Sequence, residues 1–249
     1  SVSYGLISYW TAYLKANYPA EYMVALLNAY MGNSERTVSA VADCQRLNIE
    51  VKLPNINRGG TDFIIERQED GSVAIIFGMA AIKGVGAGAI KPILESREKE
   101  GPFESIEHMC RAADLGGLKK NNLEGLIKVG AFDDFGDRTS LLTVIERILS
   151  LAHSEAGLRD SDQTSMFDLF GDSVPTPLAN IDLPEGKTSD REMEEWEREL
   201  LGLSLSSVSN LASLLQSAGG DTIVFKSQVV PGMAGKKISI VGQVSSVIQ

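Results

Sequence analysis

The residue pattern with the most chemistry in it is Lys83-Gly84-Val85-Gly86-Ala87-Gly88, set between two apolar stretches. Glycines permit a tight turn and remove the Cβ atoms that would hold an anion away from the backbone. The first N–H groups of a helix beginning near Ala87 or Gly88 lack intrahelical partners, and the helix dipole places partial positive charge at the same spot. Val85 would anchor the turn in the core, and Lys83 would add a charge-assisted contact. The pattern predicts a helix-hairpin-helix corner that grips the phosphates of duplex DNA without reading the bases. A dinucleotide loop also spaces its glycines this way, but it follows a buried strand and opens a βαβ unit, whereas residues 79–83 read as a short apolar helix. Pro92 works against the second helix, where its missing N–H begins to cost.

A second, weaker copy is expected downstream. Residues 121–129 read as a helix, Gly130-Ala131-Phe132 as its turn and Arg138 as the start of the next helix, with Lys119 and Lys120 alongside. Gly130 would face DNA, although Asp133-Asp134 would repel phosphate there. Catalysis finds no comparable support. Two-metal nucleotidyl transfer needs clustered carboxylates on a rigid element, and the one close pair, Asp160 and Asp162, falls in a segment without periodicity. His108 with Cys110 lacks two further ligands for zinc, and His153 has no evident partner. Trp10 and Tyr13 are of types that stack on bases, but their helical spacing reads first as core packing. No catalytic residue and no metal site are assigned.

Around these residues the 249-residue chain is ordinary in composition, with 43% hydrophobic and 22% charged residues. The values exclude bulk disorder and a membrane-spanning apolar run. Two cysteines, Cys44 and Cys110, are too few for a disulfide framework and fit a cytoplasmic protein. The opening residues lack the basic and apolar regions of a signal peptide and an initiator Met, which reads as a piece of something longer. The net charge of −10 argues against nucleic acid until it is located: residues 160–200 alone carry 12 acidic and 3 basic side chains. The remainder is close to neutral, so DNA would be held by converging amides rather than by long-range attraction.

The elements read as mainly α with a small β-hairpin. Helices are expected over 4–31, broken at Tyr18-Pro19, and over 35–47 with Ser34 as its cap. Residues 52–60 read as a loop, and 62–67 with 72–77 as a hairpin turned at Glu69-Asp70-Gly71. Further helices are expected at about 89–97, 104–113, 121–129, 138–157 and 188–202. Residues 157–187 read as an acidic flexible linker with one apolar island, Met166 to Phe170. Residues 236–249 alternate as a strand.

The ordered set Tyr4-Gly5-Leu6-Ile7-Ser8-Tyr9, Tyr18-Pro19-Ala20-Glu21-Tyr22, Pro54-Asn55-Ile56-Asn57, Ile82-Lys83-Gly84-Val85-Gly86, Leu126-Ile127-Lys128-Val129-Gly130-Ala131-Phe132-Asp133 and Arg198-Glu199-Leu200-Leu201-Gly202-Leu203 resembles the bacterial DNA polymerase III alpha subunits, the C family of replicative polymerases. The resemblance implies a layout: residues 1–77 as the end of the polymerase fingers, 78–156 as a tandem helix-hairpin-helix domain on duplex DNA, 157–187 as the linker, 188–235 as a helical connector and 236–249 as the truncated start of an OB-fold. It implies that Gln163, Met166 and Phe167 are a sliding-clamp-binding peptide, an aliphatic-aromatic pair for an apolar pocket with Gln163 at its edge. It also implies other replicase subunits as partners and magnesium in a palm outside this chain. Two departures stand. The family's Lys-Ser-His approach is absent before Tyr4, and Ser206-Ser207-Val208-Ser209 replaces a common His-Pro pair after Leu203. A non-catalytic helix-hairpin-helix module of a repair factor and a protein-interaction scaffold are the alternative readings.

Overall fold

A computed structural model describes residues 2–160, 181–206, 223–224 and 239–240. The chain divides into two units, residues 1–205 and 206–249. Gln163, Met166 and Phe167 lie outside the described residues, as does most of 236–249. In the second unit the described backbone is two short strands, β4 (Ile223–Val224) and β5 (Ser239–Ile240), paired in parallel.

In the first unit, α1 (Val2–Asn17) meets α2 (Pro19–Ala29) at the expected break. Pro19 occupies the first helical position, where its lost N–H would be unpaired in any case. Helix α3 (Ser34–Arg46) is capped by Asn33, whose side chain accepts the Arg36 N–H; Ser34, expected as the cap, is already inside the helix. The hairpin forms as β2 (Ile64–Arg67) and β3 (Val73–Ile76). One more strand, β1 (Glu50–Lys52), immediately precedes the expected loop at 52–60, overlapping it only at Lys52; it runs parallel to β3, so the sheet order is β1-β3-β2.

The loop that follows is rigid because its polar side chains close on backbone. Asn57 Nδ2 donates to the Phe103 carbonyl while Asn57 Oδ1 accepts the Phe103 N–H, both at 2.9 Å. Asn55 Oδ1 accepts the Asn57 and Arg58 N–H groups. Arg97 reaches the Ile56 and Gly59 carbonyls at 2.7 and 2.8 Å. The Pro54–Asn57 stretch is therefore a clasp between the sheet and the helices that follow. Phe63 and Phe77 pack beneath it with ring centroids 4.6 Å apart, and one continuous apolar core runs from Ala20 to Leu205.

The helical half contains a 3-10 turn at Met79–Ala81, then α4 (Ala87–Glu100), α5 (Ile106–Ala112), α6 (Lys120–Lys128), α7 (Arg138–Thr143) and α8 (Ile145–Asp160). The run expected at 138–157 is split at Val144, which ends α7. Helix α9 (Asp190–Leu201) has a full capping box: the Ser189 hydroxyl accepts the Glu192 N–H, and Glu192 accepts the Ser189 N–H. It ends at Gly202, which is left-handed at φ 83°.

The described residues ahead of α9 are held at two points, Ile181 and Thr188. Ile181 N–H donates to Glu107 at 2.8 Å. Thr188 N–H and hydroxyl donate to Asp137 at 2.8 and 3.0 Å. Burial works against the charge on Asp137, but these bonds and the Thr139 and Ser140 amides outweigh it and hold the carboxyl below its ordinary value. Of the residues expected as a flexible linker, 157–160 belong to α8, and Ile181 is anchored to Glu107. Helix α1 is the other departure. It buries no residue, and Trp10 and Tyr13, expected in the core, are 55% and 48% exposed.

Candidate nucleic-acid interface

The turn over Ile82–Val85 is tight. Val85 N–H donates to the Ile82 carbonyl at 3.0 Å, and Gly84 has φ 82°, the combination of a type II turn. Val85 points inward and is 4% exposed, while Lys83, Gly84, Gly86, Ala87 and Gly88 are exposed. The approach is a single 3-10 turn ending at Ala81 rather than the helix expected over 79–83, because Ile82 is already extended at φ −70°, ψ 128°. Gly86 caps α4 with φ −89° and ψ 152°. The N–H groups of Gly86, Ala87 and Gly88 have no acceptor among the described residues. Helix α4 runs through Pro92, which forfeits the bond an N–H there would make to the Gly88 carbonyl and crowds that carbonyl with its ring.

The second hairpin lies one element earlier than expected. Between α5 and α6, Leu118 N–H donates to the Leu115 carbonyl at 2.9 Å, enclosing Gly116-Gly117 as Ile82 and Val85 enclose Lys83-Gly84. Leu115 and Leu118 are buried, like Ile82 and Val85. Lys119 caps α6 with φ −92° and ψ 150°, within a few degrees of Gly86. Lys119 and Lys120 therefore stand at a helix N-terminus, and the Lys120 and Asn121 N–H groups have no acceptor among the described residues. Glu146 pairs with Lys120 and raises its pKa; Lys119 is exposed.

Gly130 does not belong to this surface. Its N–H donates to Ile127 and that of Ala131 to Leu126, closing the end of α6, and Val129, Ala131 and Phe132 are fully buried. A Cβ at Gly130 would collide with the Arg138 guanidinium. The glycine is needed for its φ of 83° at a helix end, and its amide is already spent.

The two turns flank one groove of about 430 Å³, lined by Gly84, Gly86 and Gly88 on one side and by Leu115, Gly117 and Lys119 on the other. Asp114 also lines it, a local negative charge that an anion must bypass. Each turn has a carbonyl bonded by a side chain not expected from the sequence. Asn122 Nδ2 donates to the Gly84 carbonyl at 2.8 Å. His153 Nε2 lies 3.1 Å from the Leu118 carbonyl, which can only accept, so the proton sits on Nε2. Gly125 completes the fit: a Cβ there would stand 3.1 Å from Val85 Cγ2. The one legible signal is the repeat of an apolar pair three apart around a glycine, Ile82/Val85 and Leu115/Leu118.

Chemically, the groove offers amide donors from two helix starts and lysine charge at its rim, which suits phosphate oxygens. Among the described residues, no cluster of histidine, cysteine and carboxylate could hold a metal ion, and no helix is long and apolar enough to cross a membrane.

Comparison with known proteins is consistent with this geometry. Residues 48–141, which contain both turns, match the helix-hairpin-helix motif family. The DNA polymerase III subunit alpha of Thermus aquaticus is 35% identical over 251 residues, covering 100% of this chain and 20% of the relative. That of Mycobacterium tuberculosis is 34% identical over 236 residues, covering 90% of this chain and 19% of the relative. That of Escherichia coli is 36% identical over 207 residues, covering 83% and 17%. The chain spans about a fifth of the length of these curated relatives.

Proposed function

The chain belongs to the DNA polymerase III alpha-subunit family, and from that premise we propose that it is the part of a replicative polymerase that holds duplex DNA by its backbone. The observation that carries this reading is the pair of turns with matched cap geometry opening on one groove, their helix-start amides without an acceptor among the described residues. A grip of this kind suits a replicase, which must hold every sequence equally well. The gripping groups are the amides of Gly86, Ala87 and Gly88 with Lys83 on one hairpin, and those of Lys120 and Asn121 with Lys119 on the other. In this reading residues 1–77 close the fingers and residues 236–249 begin an OB-fold. Nucleotide addition, with magnesium, and contacts with other replicase subunits belong to the polymerase as a whole.

The test is duplex binding as a function of salt. Lys83→Ala and Lys119→Ala should each weaken binding alike for unrelated sequences and each reduce the slope of log K against log salt by about 1. Unchanged affinity and slope in both would refute the grip. Docking of a sliding clamp through Gln163, Met166 and Phe167 is the second part of the proposal. It is supported by an aliphatic-aromatic pair within the most acidic stretch of the chain. Replacing Met166 and Phe167 together by alanine should abolish capture of the clamp in a pull-down, and persistent capture would refute that role.

A further inference from the structure

The corner offered to DNA is held in place by a helix far along the chain. Lys83 N–H donates to the Leu200 carbonyl at 3.0 Å. Leu200 lies in the last turn of α9, whose carbonyls have no intrahelical donor. The N–H of the second residue in a type II turn is likewise unused by the turn itself. Two groups that local structure leaves unpaired therefore satisfy each other across more than a hundred residues of sequence.

Helix α9 is itself fixed at a buried charge. Glu197 has no exposed surface. One carboxylate oxygen lies 3.1 Å from Arg138 Nη1, and the other accepts the Leu205 N–H at 2.9 Å and the Ser204 hydroxyl at 3.3 Å. Arg138 Nη1 also donates to the Lys128 carbonyl at 3.0 Å, at the end of α6. The opposite end of α6 carries the second hairpin's amides. One buried carboxylate thus sets the helix that holds the first turn and, through Arg138, the helix that starts at the second.

We propose that α9 is a positioning element of the DNA grip, with Glu197 as its anchor and the Leu200 carbonyl as its point of contact. It fixes the angle at which the Gly86–Gly88 amides face the duplex. The proposal rests on the reading of this corner as a DNA grip, and its test separates the two.

The test compares two substitutions at one position. Lys83→Ala removes the charge and keeps the N–H. Lys83→Pro removes the same charge and the N–H as well. Proline is favoured at the second position of a type II turn, and Ile82 already has the extended backbone that precedes proline. On local grounds Lys83→Pro should therefore tighten the corner and bind duplex at least as well as Lys83→Ala. If α9 positions the corner, Lys83→Pro instead binds about three- to tenfold more weakly, the worth of one lost hydrogen bond. The second arm needs no DNA: Glu197→Gln should speed amide exchange of Lys83 and Val85 while Ile75 in β3 exchanges as before. Equal or tighter binding by Lys83→Pro, or unchanged exchange of Lys83 and Val85 in Glu197→Gln, overturns the proposal. A wild-type chain that does not bind duplex overturns the grip, and the exchange arm still decides whether α9 holds the corner.

Discussion

Gly84, Gly86 and Gly88 look equivalent in the sequence and do different things in the fold. Gly84 needs its positive φ, whereas Gly86 and Gly88 have ordinary backbone and nothing within 4 Å of the point where a Cβ would stand. Folding therefore does not require glycine at 88. Gly88→Ala should raise stability by up to about 1 kcal/mol, because alanine loses less backbone entropy in a helix. The same methyl group stands on the groove and should weaken duplex binding. Thermal melting and a binding titration on one variant check both signs, and a variant that gains stability with no loss of affinity would remove Gly88 from the contact surface. This corner is legible in the sequence because the types demanded by a bare amide nest are few. Gly130 misleads for a related reason: it shares the positive φ of Gly84, and only the bonds already made by its own amide and that of Ala131 mark it as a helix end.

At the scale of elements, a buried ion pair joins α7 to α9. Arg138 is 3% exposed and Glu197 0%. Arg138→Ala would leave Glu197 buried without its cation and the Lys128 carbonyl without its donor. Breaking such a pair from one side costs about 3–5 kcal/mol, so Arg138→Ala should lower the midpoint of a denaturant titration by a corresponding amount; a loss under about 1 kcal/mol, the scale of an exposed pair, would contradict a central role for it. Helix positions are largely legible from apolar spacing and from breakers such as Pro19 and Gly202. The second hairpin is not, because Gly116-Gly117 lacks the alternating glycines of the first, and its identity rests on Leu115 and Leu118 meeting the core as Ile82 and Val85 do. Strand β1 is hidden because three residues carry no period, and its place is decided by β3 alongside it. The Asn55 and Asn57 clasp is visible in the sequence only as a resemblance; its reason, paired bonds to backbone at Phe103, is tertiary.

For the molecule as a whole, the core ignores the expected boundary at residue 77: Phe63 and Phe77 of the sheet region, Leu201 at the end of α9 and Leu205 beyond it belong to one cluster. The sequence offers two opposite cues about what is inside. The apolar α1 reads as core and lies on the surface, while the acidic helix α9 reads as a solvated face and inserts Glu197 into the centre. Hydropathy alone cannot resolve either, since the first depends on what surrounds the helix and the second on one arginine fifty-nine residues away.

The attachment of residues 181–205 to the helical half has a consequence for how the molecule tolerates being cut. Its attachment is non-covalent and many-pointed: Ile181 to Glu107, Thr188 to Asp137, Glu197 to Arg138 and Leu200 to Lys83. Severing one peptide bond anywhere in 161–180 should give two polypeptides that co-elute on size exclusion under native conditions and part only in denaturant; separation in plain buffer would show that the docking is too weak to stand alone. If they stay together, the interval is a natural split point, at which two separately expressed halves reassemble or a reporter is spliced in without disturbing the surface proposed to meet DNA.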